Sequence, residues 1–173
     1  MKILLKVLGT IFAVVALIVC LGGVIRNISD AAATDYLASG QPELQQLQES
    51  LKELGGNTDQ MDQTFFDLEE ATISLPSKGE FQTACAMMVI MGAISLALIV
   101  FQYTGNVKTN GIMLALALIA GILAIVLSPV VAETLTGGVS NRKLAVIAVV
   151  PAIAAAITAF LTARMKRAVV TVS

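Results

Sequence analysis

The chain lacks histidine and tryptophan and has only two cysteines among its 173 residues. Metal sites in proteins usually combine several His or Cys ligands at short spacing, so we expect no metal site. The sequence also lacks a recognisable nucleophile–base pair and a phosphate-binding glycine loop. These absences argue against an enzyme, and we expect no cofactor.

Charged residues are also few, and they are placed unevenly. They make up 13% of the chain, and eleven of the twelve acidic residues fall between Asp30 and Glu80, with the twelfth at Glu133. Residues 26–82 hold those eleven acids and only three basic residues, a net charge of −8. An acidic segment without a basic patch disfavours nucleic acid as a partner.

Long apolar runs surround the acidic segment. Hydrophobic residues form 57% of the chain and are concentrated in four runs: Val7–Ile25, Thr83–Tyr103, Gly111–Ala132 and Leu144–Ala163. A helix of about 20 residues spans the roughly 30 Å hydrocarbon layer of a bilayer. We therefore predict an all-α integral membrane protein. Four transmembrane helices would form a bundle, with a helical extramembrane domain inserted between the first and second helices.

The first run has two interpretations, a cleaved signal sequence or an uncleaved first span. It is longer than the apolar core of about 7–15 residues in a typical signal sequence. The nearest small-x-small site, Ala31–Ala33, lies beyond Arg26 and Asp30. We therefore expect an uncleaved span. The predicted segments are the first span (1–26), an acidic extracytoplasmic domain (27–82), the remaining three spans (83–163) and a short basic tail (164–173).

The distribution of basic residues predicts the orientation. With four spans both termini share one side, which carries six basic residues and no acidic ones: Lys2, Lys6, Lys108, Arg164, Lys166 and Arg167. The opposite side carries five basic residues together with all twelve acidic ones: Arg26, Lys52, Lys78, Arg142 and Lys143. Basic residues near span ends favour the cytoplasmic side. We expect cytoplasmic termini in a plasma membrane, or in the inner membrane if the organism is a bacterium.

Turn and cap residues divide the acidic segment into three predicted helices. Ser29 or Asp30 caps a short helix over Asp30–Ala38, which Gly40 stops. Pro42 opens a second helix over Pro42–Leu54, because proline is favoured in the first turn. A third helix is expected over about residues 59–73.

An apolar stripe runs along the second and third of these helices. Its members recur every three or four residues, as in a coiled-coil seam: Leu44, Leu47, Leu51, Leu54, Met61, Phe65 and Leu68. The spacing predicts an antiparallel hairpin, which buries little by itself. It would pack into an internal mini-core, against a second copy, or against a partner protein. The candidate contact residues are Leu44, Leu47, Leu51, Leu54 and Phe65.

The four predicted spans contain no Asp, Glu, Lys, Arg or His. Proton relays and ion-coupled transport nearly always need such groups, so their absence disfavours both. Polar side chains are few, and Gln102 is expected at the cytoplasmic end of its span, within reach of water. Small residues four positions apart let helices approach closely. The ridge of Ala152, Ala155 and Ala159 therefore predicts either packing within the bundle or an interface with another chain.

Three further features each have a functional and a simpler interpretation. Cys20 and Cys85 fall in the same half of the bilayer and could form a disulfide, although two buried thiols are the simpler expectation. Pro129 and Pro151 could open a small vestibule by twin kinks, or only bend their helices. The Asn-Ile-Ser triplet at Asn27 matches a glycosylation sequon but lies against the membrane.

These features predict a non-enzymatic accessory, scaffold or assembly subunit of a larger membrane complex. Its partners would be the lipid bilayer and other membrane subunits or copies of itself. The alternative is a homo-oligomeric channel whose polar lining comes from several copies.

Overall fold

Four α-helices form the part of the chain that the computed structural model describes, residues 2–53, 76–129 and 139–170. They are α1 (Lys2–Glu53), α2 (Lys78–Thr104), α3 (Val107–Leu127) and α4 (Asn141–Val170). Each contains a stretch long and apolar enough to cross a membrane: Lys2–Asp35, Lys78–Thr104, Val107–Leu127 and Asn141–Met165. The prediction of an all-helical, four-span membrane protein is thereby confirmed.

The outer surface of the bundle is apolar along all four helices. Large aliphatic side chains such as Ile18, Ile122 and Val150 are about three-fifths exposed. Contiguous apolar surface of this extent is not tolerated in water, whereas lipid tails cover it without penalty. The chain therefore contacts a lipid bilayer.

The helices are arranged with α2 and α4 in the middle. α4 packs against each of the other three helices, and α2 does the same. Among the described residues, α1 and α3 make no contact with each other and lie on opposite sides of the α2–α4 pair. α4 is thus the most buried of the four spans.

Helix α1 is much longer than the sequence predicts. It runs without a break from Lys2 to Glu53, so the predicted stop at Gly40 and new start at Pro42 are wrong. Proline inside a helix costs about 3 kcal/mol and glycine about 1 kcal/mol. The flanking segments consist largely of good helix formers, and the helix propagates through both positions. The predicted third helix and residues Leu54 and Phe65 lie outside the described residues.

The described residues therefore do not form a separate domain between the first two spans. Residues 27–53 continue α1, and residues 78–82 are the first turns of α2. We call residues 36–53, the last part of α1, the α1 extension. At 1.5 Å per residue it is about 27 Å long.

Side-chain caps fix where α2 and α3 begin. At the start of α2, Ser77 and Glu80 form a capping box, in which the Ser77 backbone N–H donates to Glu80 Oε2 (2.7 Å). Only Gly105 and Asn106 separate α2 from α3, and Asn106 Oδ1 accepts from the Thr109 backbone N–H (2.9 Å). The short connection makes the two helices antiparallel neighbours.

The two prolines of the last spans behave differently. Helix α3 ends at Leu127, so Pro129 follows the helix and does not kink it. Helix α4 continues through Pro151. The vestibule that twin kinks would open falls on residues 130–138, outside the described residues.

Alanine and glycine dominate the core of the bundle. Ala148, Ala152, Ala155, Ala156 and Ala159 of α4 are fully buried. At Gly121 of α3, a Cβ atom would lie 2.7 Å from Val149 Cγ1, so only glycine allows this approach of α3 to α4. Small residues thus set the short distances between the helices.

Candidate functional site: two polar clusters and a groove

A hydrogen-bonded cluster joins α1 to the beginning of α4. We call it the Asn141 cluster; it comprises Arg26, Asn27, Asp30 and Asn141. The Asn141 amide nitrogen donates to Asn27 Oδ1 (2.9 Å) and to Asp30 Oδ2 (3.0 Å). Arg26 Nε donates to Asn141 Oδ1 (3.1 Å) and lies 3.6 Å from Asp30 Oδ2.

Local sequence explains why these four side chains meet. Arg26 and Asp30 are four residues apart on one face of α1. Asn141 is the first residue of α4 and follows Ser140, whose hydroxyl accepts from the Lys143 backbone N–H (3.4 Å). The cluster links α1 to α4 where both approach the edge of their apolar stretches.

Asn27 is not available for glycosylation in this arrangement. Its side chain is 1% exposed, and its amide nitrogen donates to the Gly23 backbone carbonyl (2.8 Å). The Asn27 side chain therefore takes part in helix packing.

A second cluster lies at the opposite end of the bundle, and we call it the amide cluster: Gln102, Asn110 and Thr158. Gln102 Nε2 donates to the Ala155 carbonyl (2.9 Å) and to Thr158 Oγ1 (3.2 Å). Asn110 Nδ2 donates to the Ala159 carbonyl (3.0 Å). One amide from α2 and one from α3 thus bind successive turns of α4.

The expectation that Gln102 reaches water is wrong. Gln102 is 2% exposed and Asn110 is 1% exposed. In an apolar environment a polar side chain gains most by bonding to a neighbouring helix, and such bonds contribute about 0.6–2 kcal/mol. Asn110 and Asn141, which sequence reasoning missed, each lie beside an apolar run, and an amide in such a position is the signal that points to a buried hydrogen bond.

Two glycines make room for the amide cluster. A Cβ atom at Gly9 of α1 would lie 2.1 Å from Gln102 Nε2 and 2.4 Å from Thr158 Oγ1. A Cβ atom at Gly105 would lie 2.3 Å from Asn110 Oδ1. The buried oxygens Gln102 Oε1 and Asn110 Oδ1 have no hydrogen-bond partner among the described residues. The Gly105 Cα–H faces Asn110 Oδ1, where it can act as a weak donor.

A groove of about 320 Å³ lies between α1 and α2 on the same side of the bundle as the Asn141 cluster. The α1 wall includes Ile28, Ala31, Ala32 and Asp35, and the α2 wall includes Lys78, Phe81, Gln82 and Cys85. Alanines on α1 create the depression, and Phe81 (1% exposed) forms its floor. Lys78 and Asp35 form an ion pair at one end, with both side chains half exposed.

The cysteines are not joined by a disulfide. Cys20 and Cys85 are free thiols. Cys20 is buried beside Gly92, whereas Cys85 is partly exposed in the groove. Because residues 85 and 92 are two turns apart on α2, these thiols lie at different depths of the bundle.

The predicted contact residues fall into two groups. Ala152, Ala155 and Ala159 are fully buried within one chain, so the ridge takes part in intramolecular packing. Leu44, Leu47 and Leu51 lie on the α1 extension at register positions three and four residues apart. The backbone carbonyls of Ala155 and Ala159 accept hydrogen bonds from the amide cluster.

No protein-family model matches this chain, and neither a curated protein nor a solved structure shows significant similarity to it. Any functional conclusion must therefore come from the geometry of the bundle.

Proposed function

We propose that this protein is a non-enzymatic scaffold or assembly subunit of a membrane complex, and that the α1 extension is its contact element. The observation that carries this proposal is the continuity of α1 from the bilayer to Glu53. Because the span and the α1 extension are one helix, the extension keeps a fixed direction relative to the bundle.

The register of the α1 extension supports a protein partner. Leu44, Leu47 and Leu51 are spaced to form one stripe on a helix. Such a stripe fits an apolar groove or a second helix, which is a common mode of helix recognition. The alanine ridge of α4 is already occupied within the chain, so the extension is the better candidate for contact with other subunits.

The lipid-facing surface favours a scaffold over a channel built from several copies. A pore between copies needs polar side chains on the surfaces that meet. In the described spans, Ser95, Thr158 and Thr162 donate to backbone carbonyls of their own helix. The large side chains on the outside are aliphatic.

The orientation belongs to the same proposal. Basic residues at the start of α3 (Lys108) and near the end of α4 (Arg164), with Lys2 and Lys6 at the start of α1, favour cytoplasmic termini. The α1 extension would then project from the opposite surface of the plasma membrane or bacterial inner membrane.

The test is Leu47→Asp plus Leu51→Asp in the full chain, compared with Gln45→Asp plus Gln46→Asp. Both variants add two negative charges to the same helical segment, but only the first changes the apolar stripe. Native-gel mass in mild detergent should show loss of the complex for the leucine variant and retention for the glutamine variant. A free monomer for the unmodified chain, or equal association of both variants, would contradict the proposal.

A further inference from the structure

The α1–α2 groove lies at the depth of lipid headgroups. Along α1 it extends from Asn27 to Asp35, which is about 12 Å of helix. The polar layer on each side of a bilayer is about 5–8 Å thick. The groove begins next to Arg26, directly after the apolar run of α1, and ends at the ion pair between Asp35 of α1 and Lys78 of α2. It therefore covers the headgroup layer and the uppermost part of the acyl chains.

The chemistry of the groove changes along its length in the same direction. Away from the ion pair its walls are mostly apolar, with Ile28, Ala32 and Phe81, and Asn27 and Cys85 line the deep end. At the shallow end Lys78 provides a cation and Asp35 an anion. Gln82 follows Lys78 by four residues on α2, and its side chain is exposed, with no hydrogen-bond partner among the described residues.

We propose that this groove binds a phospholipid whose headgroup carries a phosphate and a primary ammonium group. The phosphate accepts hydrogen bonds from Lys78 and Gln82, and the ammonium donates to Asp35. The glycerol and the first part of an acyl chain lie against Ile28, Ala32 and Phe81. The proposal does not depend on the scaffold function, because one chain forms the whole groove.

Charge complementarity selects this headgroup over an anionic one. A zwitterion can pair with Lys78 and Asp35 together, replacing their mutual ion pair by two charge-assisted contacts. A headgroup with only a phosphate would pair with Lys78 and leave the Asp35 carboxylate without its cation. Hydrogen bonds to charged groups contribute about 1.5–3 kcal/mol, so the preference should be about tenfold or more.

Cys85 provides a reporter inside the groove. It is partly exposed there, whereas the other thiol, Cys20, is 1% exposed. The full chain in mild detergent should react with a maleimide mainly at Cys85. Added phosphatidylethanolamine should slow this reaction, and about tenfold more phosphatidylglycerol should be needed for the same protection. Glycerophosphoethanolamine, the headgroup without acyl chains, should give little protection because it leaves the apolar end empty.

Variants separate the charged end from the apolar end. Ala32→Phe fills the groove, and its matched control is Ala93→Phe on the lipid-facing surface of α2. Lys78→Gln plus Asp35→Asn removes both charges from side chains that are half exposed, so the fold should persist. Native mass spectrometry should show about tenfold weaker retention of phosphatidylethanolamine for both groove variants and unchanged retention for the control.

Two results would overturn the proposal. One is equal protection of Cys85 by phosphatidylethanolamine, phosphatidylglycerol and the free headgroup. The other is unchanged phosphatidylethanolamine retention in the charge variant, which tests the site even if Ala32→Phe fails to fold.

Discussion

At the scale of single residues, glycine decides whether the amide cluster can form. Gly9 gives Gln102 and Thr158 the space in which they bond to each other, and a Cβ atom there would force these side chains to move. Gly22, on the same helix, has nothing within 4 Å of its Cβ position. The two glycines therefore provide a matched comparison.

We predict opposite effects of alanine at these two positions. Gly9→Ala forces Gln102 away from the Ala155 carbonyl, which should destabilise the bundle by about 1–3 kcal/mol. Gly22→Ala should stabilise α1 by up to about 1 kcal/mol through helix propensity. Reversible unfolding in mixed micelles measures both, and equal effects of the two substitutions would count against the amide cluster.

Residue-level prediction from sequence succeeded only in part. The uncharged spans and the small-residue ridge can be identified from composition and spacing. The partners of Gln102 and Asn141, and the α4 partner of Asn110, cannot, because each of these lies at least 49 positions away in the chain. Only the packing of α4 against its neighbours brings these groups together.

At the scale of helices, α4 is the element on which the bundle depends. Ala155 is fully buried, so Ala155→Leu adds three carbon atoms where there is no space. We expect a loss of about 1–3 kcal/mol in bundle stability. Ala115→Leu, on the exposed surface of α3, is the control and should be nearly neutral. Unfolding in mixed micelles checks both, and a neutral Ala155→Leu would show that the ridge is loosely packed.

The continuity of α1 is directly measurable. Spin labels at positions 25 and 50, in a chain with both native cysteines replaced by alanine, should be about 38 Å apart with a narrow distribution. Labels at positions 4 and 25, about 32 Å apart within the span, are the control pair. A short or broad distance for the first pair only would indicate a break near Gly40 and Pro42.

Helix ends differ in how well sequence predicts them. Ser77 with Glu80 and Asn106 with Thr109 are local caps, so the starts of α2 and α3 depend on residues a few positions apart. Gly40 and Pro42 are equally local signals, yet α1 continues through them. A glycine or proline raises the free energy of helix formation locally. Whether the helix ends there depends on the helix propensity of the flanking segments.

At the scale of the whole molecule, the predicted orientation places the two ends of the bundle in different compartments. With Cys20 and Cys85 replaced by alanine, a single cysteine at Gln46 should react with an impermeant maleimide in intact cells. One at Lys108 should react only after permeabilisation. Both sites lie in exposed positions. Reaction of both from one side would contradict the four-span arrangement, and the reverse pattern would contradict only its orientation.

The global architecture was the most predictable property. Four apolar runs determine the number of spans, because the bilayer thickness fixes the helix length that crosses it. The neighbours of each helix were not predictable, because several packing arrangements of four helices are compatible with the same four apolar runs. The close approach of α3 to α4 at Gly121 and Val149 becomes evident only in the structure.

The unbroken α1 also has a mechanical consequence. Because no break interrupts the helix, a tilt of its membrane-spanning portion is transmitted along the α1 extension to Glu53. Spans adjust their inclination when membrane thickness changes. Over the roughly 27 Å of the α1 extension, a 10° change of inclination displaces Glu53 by about 5 Å relative to Asp35.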